Sequence, residues 1–200
     1  LAYRLNKTEL PIGGGTLNGT LACKGPWRRA ETTAELVATA LRLGEEPVAR
    51  VEVRATASLP RWTLLANVVR TPSETLTIQG AGDGETNLQL AVDSTPLHLD
   101  TLRGAGRRRL TGVITLEGQV SGALRQPSGT LQLTATGVGA GGHQLGDVSV
   151  HADGTAGAWA LKAAAFADTF TANATLRSVG GLPFSLALAW HDTDLSQFVS

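Results

Sequence analysis

The residues best suited to chemistry are four histidines, which form no recognisable site in the sequence. His98, His143, His151 and His191 lack the spacing and nearby third ligand of a zinc site. Positions two apart share a face of a strand, so His151 and Asp153 are expected to form an edge hydrogen bond, not a catalytic dyad. Because a Gly-x-Ser-x-Gly nucleophile turn is also lacking, the sequence predicts a protein that is not an enzyme and uses no metal or cofactor.

Glycine, cysteine and net charge exclude further classes of function. Gly13–Gly15 is not followed by the Gly-Lys-Ser/Thr of a phosphate-binding loop, so a turn is predicted there. The chain has 17 basic and 17 acidic residues and only 4% aromatic residues, which argues against nucleic-acid binding. Cys23, the single cysteine, cannot form an internal disulfide, and its alternating neighbours predict a buried side chain.

The elements that position these residues are predicted to be strands. Apolar and polar residues alternate most clearly between Leu110 and Val199, in the stretches 131–136, 148–152, 159–163, 170–176 and 184–190. About seven similar stretches lie between residues 16 and 100, separated by turn sequences such as Gly25-Pro26 and Gly80–Gly84. Since successive side chains of a strand point to opposite faces, this pattern predicts an all-β protein whose sheet has one apolar and one polar face.

An internal repeat indicates that a similar set of strands occurs twice along the chain. Val51–Ala55 matches Val148–Ala152, and Trp62-Thr63-Leu64 matches Trp159-Ala160-Leu161, with offsets of about 93 to 98 residues. The predicted organisation is the end of a preceding repeat at 1–15, a first β-module at 16–102, a linker at 103–109 and a second module at 110–200. Without an initiator Met, the chain is interpreted as a fragment of a longer protein.

Two stretches could be helix or strand. Leu36, Val37, Ala40 and Leu41 would share a helical face within Ala30–Leu43. The repeat aligns this stretch with the clear strand at Leu131–Thr136, which favours a strand over a helix. The alanines at 163–165 follow the strand that begins at Trp159, so strand is predicted there too.

The second half also carries a characteristic order of short motifs. Leu110–Gly122 is followed by Pro127–Leu133, then Gly141–Val150, and finally Leu182–Trp190 with Asp194–Phe198 behind it. This order resembles the repeats of the TamB/AsmA-like family of bacterial envelope proteins. The resemblance covers residues 110–200 well and residues 16–100 more loosely.

The resemblance implies a fold, a location and partners. The fold would be an elongated, curved, antiparallel or mixed sheet forming an open β-taco-like groove, with two stacked repeats of about 95 residues. The protein would lie in the periplasm, anchored to the inner membrane by a segment outside this chain. It would carry phospholipid between the inner and outer membranes, support outer-membrane protein assembly, or do both. Its partners would be phospholipid acyl chains and, through parts outside this chain, an outer-membrane barrel of the TamA/BamA type.

Alternation and the resemblance together give a predicted lining for such a groove. The candidate lipid-contacting residues are Leu36, Val51, Val53, Trp62, Leu64, Leu76, Ile78, Leu88, Leu90, Ile114, Leu116, Leu131, Leu133, Val148, Val150, Trp159, Leu161, Phe170, Leu176, Leu186, Leu188 and Trp190. The alternative function is that of a structural or adhesive β-solenoid of the surface passenger type. Coils of such solenoids are usually about 20 to 25 residues long, much shorter than this repeat.

Overall fold

The protein is built almost entirely from strands. Its computed structural model describes residues 12–26, 30–43, 45–84, 86–103, 109–166, 169–177 and 184–190. The strands are β1 (Ile12–Gly13), β2 (Thr16–Lys24), β3 (Glu31–Leu43), β4 (Glu46–Ser58), β5 (Arg61–Thr71), β6 (Glu74–Asp83), β7 (Asn87–Ser94), β8 (Leu97–His98), β9 (Thr111–Ala123), β10 (Gln126–Ala140), β11 (His143–Thr155), β12 (Ala158–Ala165), β13 (Phe170–Arg177) and β14 (Phe184–Trp190). A single 3-10 turn, Leu99–Thr101, follows β8.

All fourteen strands belong to one sheet, in which every described strand pair is antiparallel. The path runs from β3 through β4, β5, β6 and β7 to β9, and then through β10 to β14. The short strand β1 and the longer β2 both pair with β3 at one end of this path, and β8 pairs with β9 beside β7. Within the described residues the two ends do not pair with each other, so the sheet is open and not a closed barrel.

Several described connections between consecutive strands are tight hairpins. In the turn between β10 and β11, Gly141 and Gly142 have φ angles of 62° and 94°, and between β11 and β12 Ala156 and Gly157 have φ angles of 48° and 81°. Positive φ at both central residues is the backbone twist that matches two antiparallel strands. Local turn chemistry therefore explains why neighbours in the chain are neighbours in the sheet.

The segments that were ambiguous in the sequence are strands. Residues 31–43 form β3, so the helical alternative for Ala30–Leu43 is wrong, and residues 163–165 end β12. One predicted turn was also wrong: β6 continues through Gly80 to Asp83. Its glycines lie beneath the ring of Trp62, so their role is to admit a large neighbour rather than to bend the chain.

The sheet is continuous between the two halves of the sequence. Each half contributes six strands to the sheet in the same order, β2 to β7 and then β9 to β14, with β2 pairing with β3 beside the main path. The halves join where β7 pairs with β9, with Leu88 opposite Gly122 and Leu90 opposite Val120. Most of the proposed linker and most of residues 1–15 lie outside the described residues, so the module boundaries stay a prediction.

The described residues form no second layer over this sheet. The buried apolar side chains of the described residues are few and mostly small, namely Ala38, Val48, Leu88, Ala135, Ala152 and Ala165, and none of the described large side chains is fully enclosed. The accessible surface of the chain is 14201 Å². A globular protein of 20.7 kDa would expose about 8,900 Å². This excess of accessible surface is expected of an open, extended sheet.

Candidate functional site

The strand registers place the apolar residues of the two halves on one face of the sheet. Residues directly opposite each other on paired strands point to the same side. One row across this face consists of Ala34, Ala55, Leu64, Gly80, Leu90, Val120, Gly129, Gly154, Trp159, Leu176 and Phe184. We call the surface that contains this row, and the parallel rows two residues away along each strand, the apolar face.

Every residue predicted from the sequence to line a groove lies on the apolar face. For example, Leu36 is opposite Val53, Leu116 is opposite Leu133, and Leu133 is opposite Val150. Leu186, Leu188 and Trp190 are assigned to this face by backbone register alone. This agreement concerns position on the sheet; contact with lipid stays a prediction.

Much of the apolar face is accessible. Leu36, Leu131 and Leu176 are exposed, at 39%, 38% and 38%, and most other described groove candidates are half-buried. Leu88, at 9%, is the most enclosed of them. The described part of the face is therefore not plugged by side chains of the same chain.

Trp62 and Trp159 lie against glycine positions of adjacent strands. A Cβ placed on Gly82 would stand 2.5 Å from Trp62 Nε1, and one placed on Gly154 would stand 2.5 Å from Trp159 Cε2. Each ring therefore occupies space above a neighbouring strand that a side chain would otherwise fill. This packing keeps that part of the apolar face flat, because each large indole ring lies over a glycine, which has no side chain.

Several concavities lie along the sheet. One of about 230 Å³ is lined mainly from the apolar face, by Ala34, Ala55, Trp62 and Leu64 among others. A larger one of about 840 Å³ spans the junction of the two halves, and most of its lining belongs to the opposite face: Leu65, Gln79, Ala81, Gln89, Ala91, Gln119, Ser121 and Thr130. The concavity at the junction of the two halves is therefore lined mainly by the face opposite the apolar one.

The opposite face is mostly polar. One of its rows joins Glu52, Asn67, Thr77, Asp93, Glu117, Gln132, His151, Lys162 and Asn173. The carboxylates of Asp93 and Glu117 are directly opposite at the junction of the two halves, and both are exposed. His151 Nε2 lies 2.9 Å from Asp153 Oδ2, so the two side chains meet as predicted, on an interior strand and with both about half exposed.

A buried ionic cluster holds the segment after β7 against the sheet. Glu74, only 4% exposed, forms an ion pair with Arg70, which is also mostly buried. The Glu74 carboxylate accepts hydrogen bonds from the His98 backbone N–H at 2.9 Å and from the Thr71 hydroxyl at 3.2 Å, and His98 Nδ1 lies 3.3 Å away. Arg70 also donates to the carbonyl and hydroxyl oxygens of Thr101. The cluster therefore ties β5 and β6 to the connection between the two halves.

The electrostatics of this cluster favour an ionised Glu74. Burial by itself raises the pKa of Glu74, but the two His98 hydrogen bonds and the charge of Arg70 outweigh it and hold the pKa below 4.5. Sequence reasoning missed this cluster. Its signal was that Glu74 falls in the same alternation as Leu76 and Ile78, on the apolar side of β6.

Three other features of the described residues bear on function. Cys23 is exposed, so its predicted burial is wrong: β2 is an edge strand with every side chain exposed. The described residues contain no group of three or more His, Cys, Asp or Glu side chains that could hold a metal ion. They also contain no helix long and apolar enough to cross a membrane.

Comparison with known proteins leaves the family open. No protein-family model, no curated protein and no solved structure matches this chain. The resemblance to the TamB/AsmA-like family therefore stays a prediction from the order of the sequence motifs.

Proposed function

We propose that this chain is a hydrophobic-groove segment of a TamB/AsmA-like envelope protein that carries phospholipid between the inner and outer membranes. The observation that carries the proposal is the apolar face, whose central row continues without a register shift from Leu21 of β2 across β7 and β9 to Phe184 of β14. Support of outer-membrane protein assembly, with a barrel partner bound elsewhere on the protein, belongs to the same proposal.

The dimensions of the sheet suit a long apolar guest. Twelve strands spaced roughly 4.8 Å apart extend about 50 Å along the hydrogen-bonding direction. Each methylene removed from water contributes about 0.8 kcal/mol, so ten methylenes contribute about 8 kcal/mol before the costs of association. Repeated small apolar positions would bind an acyl chain at many similar places, which favours movement along the face over tight binding at one point.

The alternative of a structural or adhesive β-solenoid has less support. A right-handed parallel coil with a packed core would favour that function. The strand pairs of the described residues are all antiparallel, and few of their side chains are buried. An open antiparallel sheet with an accessible apolar face is better suited to holding a guest.

Two matched variants on β10 test the proposal. Leu131 is exposed on the apolar face, and its neighbour Gln132 is exposed on the polar face. Native mass spectrometry of gently extracted protein should detect co-purifying phospholipid with the wild type and with Gln132→Arg. Leu131→Arg should retain roughly tenfold less, because its charge would face the acyl chain. A bare polypeptide in all cases, or equal lipid in both variants, would contradict the proposal.

A further inference from the structure

The connection between the two halves is held to the sheet in two ways. β8 pairs with Val113 and Ile114 of β9. In addition, the backbone N–H of His98 donates to the Glu74 carboxylate at 2.9 Å. Within the described residues β8 pairs with β9 alone, so a carboxylate serves it in place of a second strand. We call residues 97–102, which comprise β8, the 3-10 turn and the residue after it, the clasp.

The chain just before the clasp is anchored without any help from Glu74. The Thr95 N–H donates to the Thr75 carbonyl at 2.9 Å, and the Thr95 hydroxyl accepts from the Thr75 N–H at 2.7 Å and donates to the Ser73 carbonyl at 2.9 Å. Pro96 follows, and a proline has no N–H with which to extend this pairing. If the clasp were released, the chain up to Thr95 would therefore stay on β6.

Two side chains, Arg70 of β5 and Glu74 of β6, tie the clasp to the neighbouring strands. Arg70 donates to the carbonyl and hydroxyl oxygens of Thr101, and the Glu74 carboxylate accepts from His98. The Nε of Arg70 is buried and has no hydrogen-bond partner in the described part of the chain, so this guanidinium depends on Glu74 and Thr101. Loss of the negative charge of Glu74 would therefore leave Arg70 unbalanced and weaken the acceptor that holds His98.

The groups that face Glu74 make the cluster sensitive to acid. Arg70 from β5 and His98 from β8 are the charged or titratable groups that act on the carboxylate in the described structure. The other charged residues of β7, β9 and the end of the clasp lie on the polar face or in solvent, namely Asp93, Glu117, Asp100 and the following Arg103. At neutral pH the carboxylate balances the guanidinium. In acid an imidazole carries a positive charge, so protonation of Glu74 leaves two cations beside an uncharged acid.

We infer that the clasp is an acid-sensitive conformational switch: when Glu74 is protonated, residues 97–102 leave the sheet while both halves stay folded. β5, β6 and β9 keep their own long pairings with neighbouring strands, so release of the clasp does not unpair them. The halves remain joined along Leu88–Asp93 of β7, and the edge of β9 at Val113 and Ile114 becomes free. The two halves can then bend against each other at this end of their junction. This inference rests on the cluster and not on lipid binding.

Hydrogen–deuterium exchange of the full chain, read by mass spectrometry, tests the release of the clasp. The clasp should be closed above pH 4.5 and should open as the pH falls through the folded pKa of Glu74. After correction for intrinsic exchange rates, protection of peptides covering 97–102 should therefore fall roughly tenfold or more between neutral pH and a pH well below 4.5. Peptides from the β9–β10 hairpin should keep their protection, because they belong to the part of the sheet that stays folded.

Two variants assign the effect to Glu74. Glu74→Gln should show the low protection of the clasp already at neutral pH, with little further loss in acid, because its side chain carries no charge at any pH. Asp100→Asn is the matched control, since Asp100 is an exposed carboxylate of the clasp itself, and this variant should behave as the wild type does. The wild-type comparison stands by itself if Glu74→Gln fails to fold.

Three results would overturn the inference. Unchanged protection of the clasp in acid would mean that the cluster does not control it. Equal loss of protection in the clasp and in the β9–β10 hairpin would mean that acid unfolds the sheet as one unit. A full pH dependence in Glu74→Gln, or its disappearance in Asp100→Asn, would assign the switch to another group.

Discussion

Replacement of Glu74 by glutamine tests the buried cluster that ties the two halves together. Glu74→Gln keeps the volume of the side chain but removes the charge that neutralises Arg70. Breaking a buried ion pair costs about 3–5 kcal/mol, and we expect about 3 kcal/mol because Arg70 keeps its hydrogen bonds to Thr101. For a chain of this length that loss should lower the melting temperature by roughly 6–12 °C.

The same variant predicts a pH dependence with a definite sign. The pKa of Glu74 is lower in the folded chain than its ordinary value of 4.5, so its contribution to stability is complete above pH 4.5. That contribution is lost as the pH falls below 4.5 and through the folded pKa. The difference in free energy of unfolding between wild type and Glu74→Gln should therefore shrink in this acidic range.

Urea unfolding at several pH values measures both effects. Glu31→Gln is the control, because Glu31 is an exposed carboxylate at the start of β3 and should change the free energy of unfolding by less than about 0.5 kcal/mol. A loss for Glu74→Gln no larger than that of the control would refute the reasoning. So would a difference from wild type that stays constant between neutral and acidic pH.

Other predictions concern the packing and charge of the two faces. Gly82→Ala should displace the Trp62 ring, lower the free energy of unfolding in urea by about 1–3 kcal/mol and shift tryptophan emission. Gly154→Ala should have the same effects through Trp159. Unchanged emission in both variants would contradict this packing. Glu117→Lys should place a cation opposite Asp93 and raise the free energy of unfolding by about 0.2–1 kcal/mol, less at high salt; a loss of stability would mean that the two carboxylates do not interact.

Alternation in the sequence was sufficient to predict the strands and the composition of their faces. Residues such as Leu131 and Leu133 repeat with period two, and a single shift of register would have moved them to the polar face. The repeat resolved the ambiguous β3, where helical and strand patterns overlap. These features could be predicted because each depends on a pattern in the sequence, either local alternation or the internal repeat.

Features that depend on tertiary placement could not be predicted. Cys23 has the sequence pattern of a buried residue, but its exposure follows from the position of β2 at the edge of the sheet. The glycines of β6 were read as a turn because the sequence does not show that Trp62 lies over them. Glu74 was visible as an acid in an apolar alternation, but its partner His98 depends on where β8 docks.

Photocrosslinking to lipid tests the central claim most directly. A benzophenone amino acid at position 131 would lie on the apolar face, and one at position 132 would lie one residue away on the polar face. After irradiation with phospholipid vesicles, we predict phospholipid adducts at position 131 and almost none at position 132. Equal labelling at the two positions, or labelling at position 132 alone, would contradict the proposal that the apolar face holds acyl chains.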